Sequence, residues 1–184
     1  MQRIMNLKVS LVLGALLGLA ASATQLRAVP IVWNGPLTSF TKLDFANPAL
    51  VANQDRLTSD IWLTRSSTLG LYNANSEPGF SHFFSPSGTQ WANGSLANYA
   101  TLNYTDWNTW AKGINPGPPS TVGINAVVHL IPDDIYLSIR FTSWTGSGGG
   151  GGFSYLRSTP IPEPATALIA IGGLAVFCAA RRRT

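Results

Sequence analysis

The stretch Ile135 to Phe141 restricts the fold of this chain more than any other. Ile135, Leu137, Ile139 and Phe141 alternate with Tyr136, Ser138 and Arg140. A period of two puts the apolar set on one face of a strand and the polar set on the other, a sorting that no helix produces. Ala126 to Ile131 is a second apolar run, and Pro132-Asp133-Asp134 between them has the composition of a tight hairpin turn.

The same texture continues on both sides. Ile61–Arg65 and Gly70–Tyr72 form a second expected pair, and Ile31–Trp33 with Phe40–Phe45 the opening strands. Gly79–Phe84, Gln90–Ala92 and Ala100–Tyr104 are shorter candidates, and Gly152–Arg157 the closing strand. Helical periodicity is absent, while Gly, Pro, Asn, Ser and Thr interrupt the runs throughout. Many short strands with frequent turns predict an all-β body over residues 29–159, a β-sandwich of jelly-roll type. Residues 113–120, with three prolines, cannot sustain a ladder, and the glycine tract at 146–152 reads as a flexible connector. No helix and no Lys-Ser/Thr pair follows that tract, so it does not read as a phosphate cradle.

Both ends differ from this body. Arg3 and Lys8 precede an apolar run from Val9 to Ala20, and Ala21 and Ala23 supply the small residues that signal peptidase requires. Residues 1–23 therefore read as a secretory signal peptide, with a second possible cut after Ala28. At the other end, Pro162-Glu163-Pro164 precedes sixteen largely apolar residues, 165–180, and then Arg181, Arg182 and Arg183. A helix of that length covers about 24 Å against a hydrocarbon core of about 30 Å, which makes it a short transmembrane segment. The three arginines form a cytoplasmic stop under the positive-inside rule, leaving everything before Glu163 outside.

Residues 160–184, with the Pro-Glu-Pro motif, a short apolar helix containing Gly172-Gly173 and a terminal arginine cluster, resemble the PEP-CTERM sorting signal of exported bacterial proteins. That resemblance implies processing by an exosortase near Pro162, Glu163 and Pro164. It also implies a transient inner-membrane anchor followed by release or transfer to the cell surface or extracellular space. Such proteins occur in Gram-negative bacteria that make exopolysaccharide. Asn53–Thr58, Ile61–Arg65, His129–Leu137, Phe141–Trp144 and Gly152–Thr159 resemble an extracellular β domain that recurs in exported bacterial proteins, which brings no activity with it.

Charge and cysteine content narrow the function of the body. The chain has a formal charge of +4, yet between Val29 and Thr159 six basic residues face seven acidic ones, a balance of −1. The excess of arginine belongs to the targeting ends, so nothing supports a nucleic-acid partner. The sole cysteine, Cys178, lies in the expected membrane segment, so the body has no disulfide, thiol nucleophile or thiolate ligand. No cofactor is expected. His82 and His129 are the only histidines, and no spaced acidic loop suggests calcium, so no metal is expected either.

Aromatic content is the remaining signal. All six tryptophans lie in the body, and Asp106, Trp107 and Trp110 sit in its densest aromatic and polar segment. Flat rings can stack on sugars while Asp and Asn bond the hydroxyls, which makes these three a candidate glycan platform. Trp107 and Trp110 share a side only if a turn or short helix joins them. Core packing is the competing reading for each indole. The chain is thus expected to be a non-enzymatic, exported surface or extracellular-matrix protein that binds exopolysaccharide. The alternatives are an extracellular polysaccharide hydrolase using Glu77 or Asp133, and a purely structural matrix subunit.

Overall fold

The computed structural model describes residues 29–146 and 148–161. The expected signal peptide with Ala21 and Ala23, the Pro162-Glu163-Pro164 motif, the apolar helix at 165–180 and Arg181 to Arg183 lie outside the described residues. Among the described residues no helix is long and apolar enough to cross a membrane.

The fold is mostly β, with antiparallel strands in two sheets. The larger holds β1 (Ile31–Trp33), β2 (Leu37–Lys42), β6 (Thr89–Asn93), β7 (Ala126–Leu130), β8 (Ile135–Trp144) and β9 (Phe153–Ser158), in the order β2-β9-β8-β7-β6. The smaller holds β3 (Asp55–Arg56), β4 (Trp62–Arg65) and β5 (Leu71–Asn73). Strands β6 to β9 pair in chain order, an up-and-down meander, so the strand exchange of the expected jelly roll is not the observed order. The tight Ile131–Asp134 hairpin returns β8 to its immediate neighbour β7, whereas β6 and β7 pair across the long connection 94–125, which carries the short helices.

One edge of β8 serves two partners. Its start pairs in parallel with β1, Ile31 opposite Ile135, and from Ile139 onward the same edge is taken by β9. The chain steps sideways at Gly35, whose N–H donates to the Thr159 carbonyl at 2.9 Å, and continues as β2 along the outer edge of β9. A side chain at position 35 would collide with the Thr159 and Pro160 carbonyls, so the step requires glycine.

The core is the inner face of the long strand together with the small sheet. Leu137, Ile139 and Phe141 of β8 and Phe153 and Tyr155 of β9 meet Leu63 and Leu71. Trp91, Trp107 and Trp110 fill the middle, with ring centroids 4.8 to 5.4 Å apart. The sheets are joined by one charged bridge. Asp55 in β3 accepts from Arg157 Nε at 2.6 Å, from Arg157 Nη2 at 2.9 Å and from the Tyr155 hydroxyl at 2.8 Å, both partners lying in β9.

Several sequence expectations are corrected. The opening strand ends at Lys42, because Asp44 and Phe45 turn the chain and Phe45 has φ 59°. Residues 96–101 form a 3₁₀ helix begun by Ser95, whose hydroxyl accepts from the Ala97 N–H, so Ala100–Tyr104 is no strand. Gly79–Phe84 is a series of turns with Phe83 at φ 66°. The glycine tract is packed in its second half rather than a free connector throughout, while Gly146 and Gly148 are exposed. Gly150, Gly151 and Gly152 are buried, Gly150 accepts from the Phe45 N–H at 2.7 Å, and Gly152 donates to Asp44 Oδ1 at 2.7 Å. A side chain at Gly151, where φ is 73°, would collide with the Ser66 carbonyl. Backbone approach explains the composition there.

Candidate functional site

The expected platform is not on the surface. Trp107 is 1 % exposed and Trp110 fully buried, and each packs on Trp91 and Phe141. The Trp110 indole N–H donates to Asn93 Oδ1 at 2.7 Å, so even its polar edge is satisfied internally. A ring without an accessible face cannot stack on a sugar, and the proposed role of Trp110 falls with it. Asp106 is a helix cap. Its carboxylate accepts from the Thr109 N–H at 3.0 Å and from the Thr109 hydroxyl at 2.6 Å. It starts the turn that continues as a short π-helix, Thr109–Ile114, closed by the Asn115 N–H donating to the Trp110 carbonyl at 3.0 Å. That helix does bring Trp107 and Trp110 to one side, but the side is the core.

The same turn exposes Lys112 beside a pocket of about 290 Å³. Phe80, Trp107, Trp144, Pro118 and Pro119 supply its apolar walls, and Arg65 and Lys112 its charges. Trp107 thus returns as a wall of this pocket, although its ring faces are covered. Two local features build the site. Arg65 follows Ile61 and Leu63 in a period of two, so it lies on the core face of β4 and is 2 % exposed. Trp144 is aimed inward by a bulge in β8, where Phe141 pairs with Tyr155 but Ser143 with Ser154. Regular alternation would have sent Ser143 to the inner side.

Arg65 is held tightly. Its Nε donates to the Leu69 carbonyl at 2.8 Å, and its Nη1 to the Thr145 carbonyl at 2.9 Å and the Gly152 carbonyl at 3.2 Å. The guanidinium lies 4.0 Å from the centre of the Trp144 ring. Burial pushes its pKa down to about 10, and Asp44 opposes the shift. Lys42, 1 % exposed on β2, is lowered by burial and then by Arg65.

The hydrolase candidates have structural engagements. Glu77 accepts from the Asn73 N–H at 2.7 Å, the Ser87 N–H at 2.9 Å and the Ser85 hydroxyl, which pins the Glu77–Ser87 loop against β5. Asp133 lies in the β7–β8 turn, and its Oδ2 is buried with no hydrogen-bond partner among the described residues. Each histidine binds its own neighbour: His82 pairs with Asn108 at 3.2 Å, while His129 meets Asp134 at 2.9 Å and stacks on Tyr136 at 4.2 Å. Among the described residues no three His, Cys, Asp or Glu side chains form a metal-binding group.

A second concavity, about 350 Å³, lies on the outer side of the large sheet, lined by aliphatic residues such as Leu37, Leu96 and Leu156 with Ser138 and Arg140. Its charge is exposed and its walls carry no aromatic ring, so the Arg65 pocket is the better-built site. Sequence reasoning missed Arg65, Phe80, Lys112 and Trp144. The one available signal was an arginine at the core-facing position of a strand. No family model matches this chain, and no curated protein or solved structure is found to be similar to it.

Proposed function

We propose that this chain is an exported surface or extracellular-matrix protein, sorted by an exosortase-type system, whose body binds exopolysaccharide without cleaving it. The body is read as a sandwich-like pair of sheets presenting one binding pocket. The observation that carries the binding role is the composition of that pocket. Aromatic and proline walls suit the C–H face of a sugar ring, the volume suits one ring, and no Asp or Glu lines it. Hydrolysis needs two carboxylates flanking the scissile bond, and the pocket offers none among the described residues.

Titration calorimetry of the purified protein with the exopolysaccharide of the producing organism tests this reading. Saturable heat that weakens in Phe80→Ala, with polymer length unchanged, is the expected result. Shortened polymer would transfer the protein to the hydrolases, and no heat at any accessible concentration would end the glycan reading. For sorting, replacing Pro162, Glu163 and Pro164 with alanine should leave uncleaved protein in the inner membrane. Normal release of that variant would refute exosortase processing.

A further inference from the structure

The Arg65 pocket carries uncompensated positive charge. Arg65 and Lys112 both line it, no acidic residue does, and neither cation belongs to an ion pair among the described residues. Asp44 is the acid that acts on Arg65, but it acts on Lys42 as well, and its Oδ1 already accepts from the Gly152 N–H. Two buried cations therefore share one carboxylate. A buried charge without a counter-ion is costly, and the three carbonyls that Arg65 meets offset only part of that cost. Its Nε and Nη1 are occupied by those carbonyls, while Nη2 makes no hydrogen bond among the described residues.

We infer that the pocket selects an acidic polysaccharide, in which the carboxylate of a uronate residue is met by Arg65 Nη2 and Lys112 while the sugar ring lies against the apolar walls. This rests on the glycan-binding reading above. A small inorganic anion would satisfy the charges but leave Phe80, Trp144 and the two prolines uncovered. A neutral sugar would cover the walls and leave the guanidinium unpaired. Only a ring that carries a carboxylate matches both.

The test uses polygalacturonate and its fully methyl-esterified form, which share a backbone and differ in charge, each titrated into the purified protein. The acid should bind saturably and the ester roughly tenfold or more weakly, because esterification removes the charge that Arg65 and Lys112 meet. Lys112→Gln should weaken the acid by a similar factor and leave the ester unchanged. Arg65→Gln should do the same if it folds, and the exposed Lys112 keeps the test open if it does not. Arg140→Gln, on the outer side of the sheet, should change nothing. Equal affinity for acid and ester would overturn the acidic selectivity and leave glycan binding standing. Binding of the native exopolysaccharide but of neither galacturonate polymer would also overturn it. Silence with all three would remove both readings. Equal losses in Lys112→Gln and Arg140→Gln would reveal diffuse charge attraction and overturn the pocket assignment.

Discussion

Arg65 and Arg157 occupy equivalent positions and have opposite fates. Each ends the core face of a strand, Arg65 after Ile61 and Leu63, Arg157 after Phe153 and Tyr155. Arg157 meets a carboxylate through two nitrogens, and Tyr155 adds a third bond to the same group. Asp55 therefore raises its pKa despite burial. Arg65 meets only carbonyls, and burial lowers it to about 10. An arginine neutralised in place is a clamp between sheets. One left with excess charge at a pocket wall is available to something that arrives from outside.

The largest expected effect belongs to the clamp. Asp55→Ala strands the Arg157 charge between the sheets and removes the acceptor for Tyr155, so it should cost about 3–5 kcal/mol of stability. Urea unfolding would measure it. A loss below about 1 kcal/mol would mean that solvent reaches Arg157 and that the two arginines differ less than their surroundings suggest.

Arg65→Met should cost less, about 1–3 kcal/mol, because the substitution strands carbonyls rather than a carboxylate. Arg157→Met is the matched comparison, since it leaves Asp55 buried and unpaired. Equal losses in the two variants would break the distinction. A larger loss at Arg65 would reverse it and make the pocket wall the structural element.

Only the strand faces behind this contrast were legible in the sequence. Ile135 to Phe141 declared its faces by alternation, and the same rule assigns Arg65 and Arg157 to the core side of their strands. The rule could not supply partners. Asp55 lies about a hundred residues from Arg157, at a sequence separation of 102, and Thr145 eighty from Arg65. Aromatic identity was equally silent, because an indole serves a core and a sugar platform through the same apolar surface. Trp107 and Trp110 therefore read as candidates although the helical turn begun at Asp106 and the π-helix after it turn them inward. The glycine tract misled for a related reason, since glycine marks both loose chain and backbone packed too closely for a side chain.

Alkaline titration separates the two regions by sign. Burial and Asp55 hold the Tyr155 pKa well above 10. The unfolded tyrosine titrates near pH 10, so its contribution to stability is complete below about 10 and is lost as pH rises beyond it. Arg65 acts in the opposite direction. Its folded value of about 10 lies below the unfolded one, so losing its proton relieves a burial cost as pH rises above about 10. Tyr104 and Tyr136, both raised by burial, add to the decline. Unfolding free energy should therefore fall above pH 10, and Tyr155→Phe should reduce that slope by about 1.4 kcal/mol per pH unit. An unchanged slope would remove Tyr155 from the clamp.

The smallest stability effect is the most discriminating. Lys112 is exposed, follows the buried Trp110 and Ala111 in the π-helix, and forms no ion pair among the described residues. Its neutral substitution Lys112→Gln should leave stability within about 0.5 kcal/mol. A clear loss of stability would assign Lys112 a packing role and make the pocket part of the scaffold. Unchanged unfolding together with weakened uronate binding would instead assign Lys112 to the ligand of the Arg65 pocket, and set that pocket apart from the Asp55–Arg157 bridge, whose loss is read in stability.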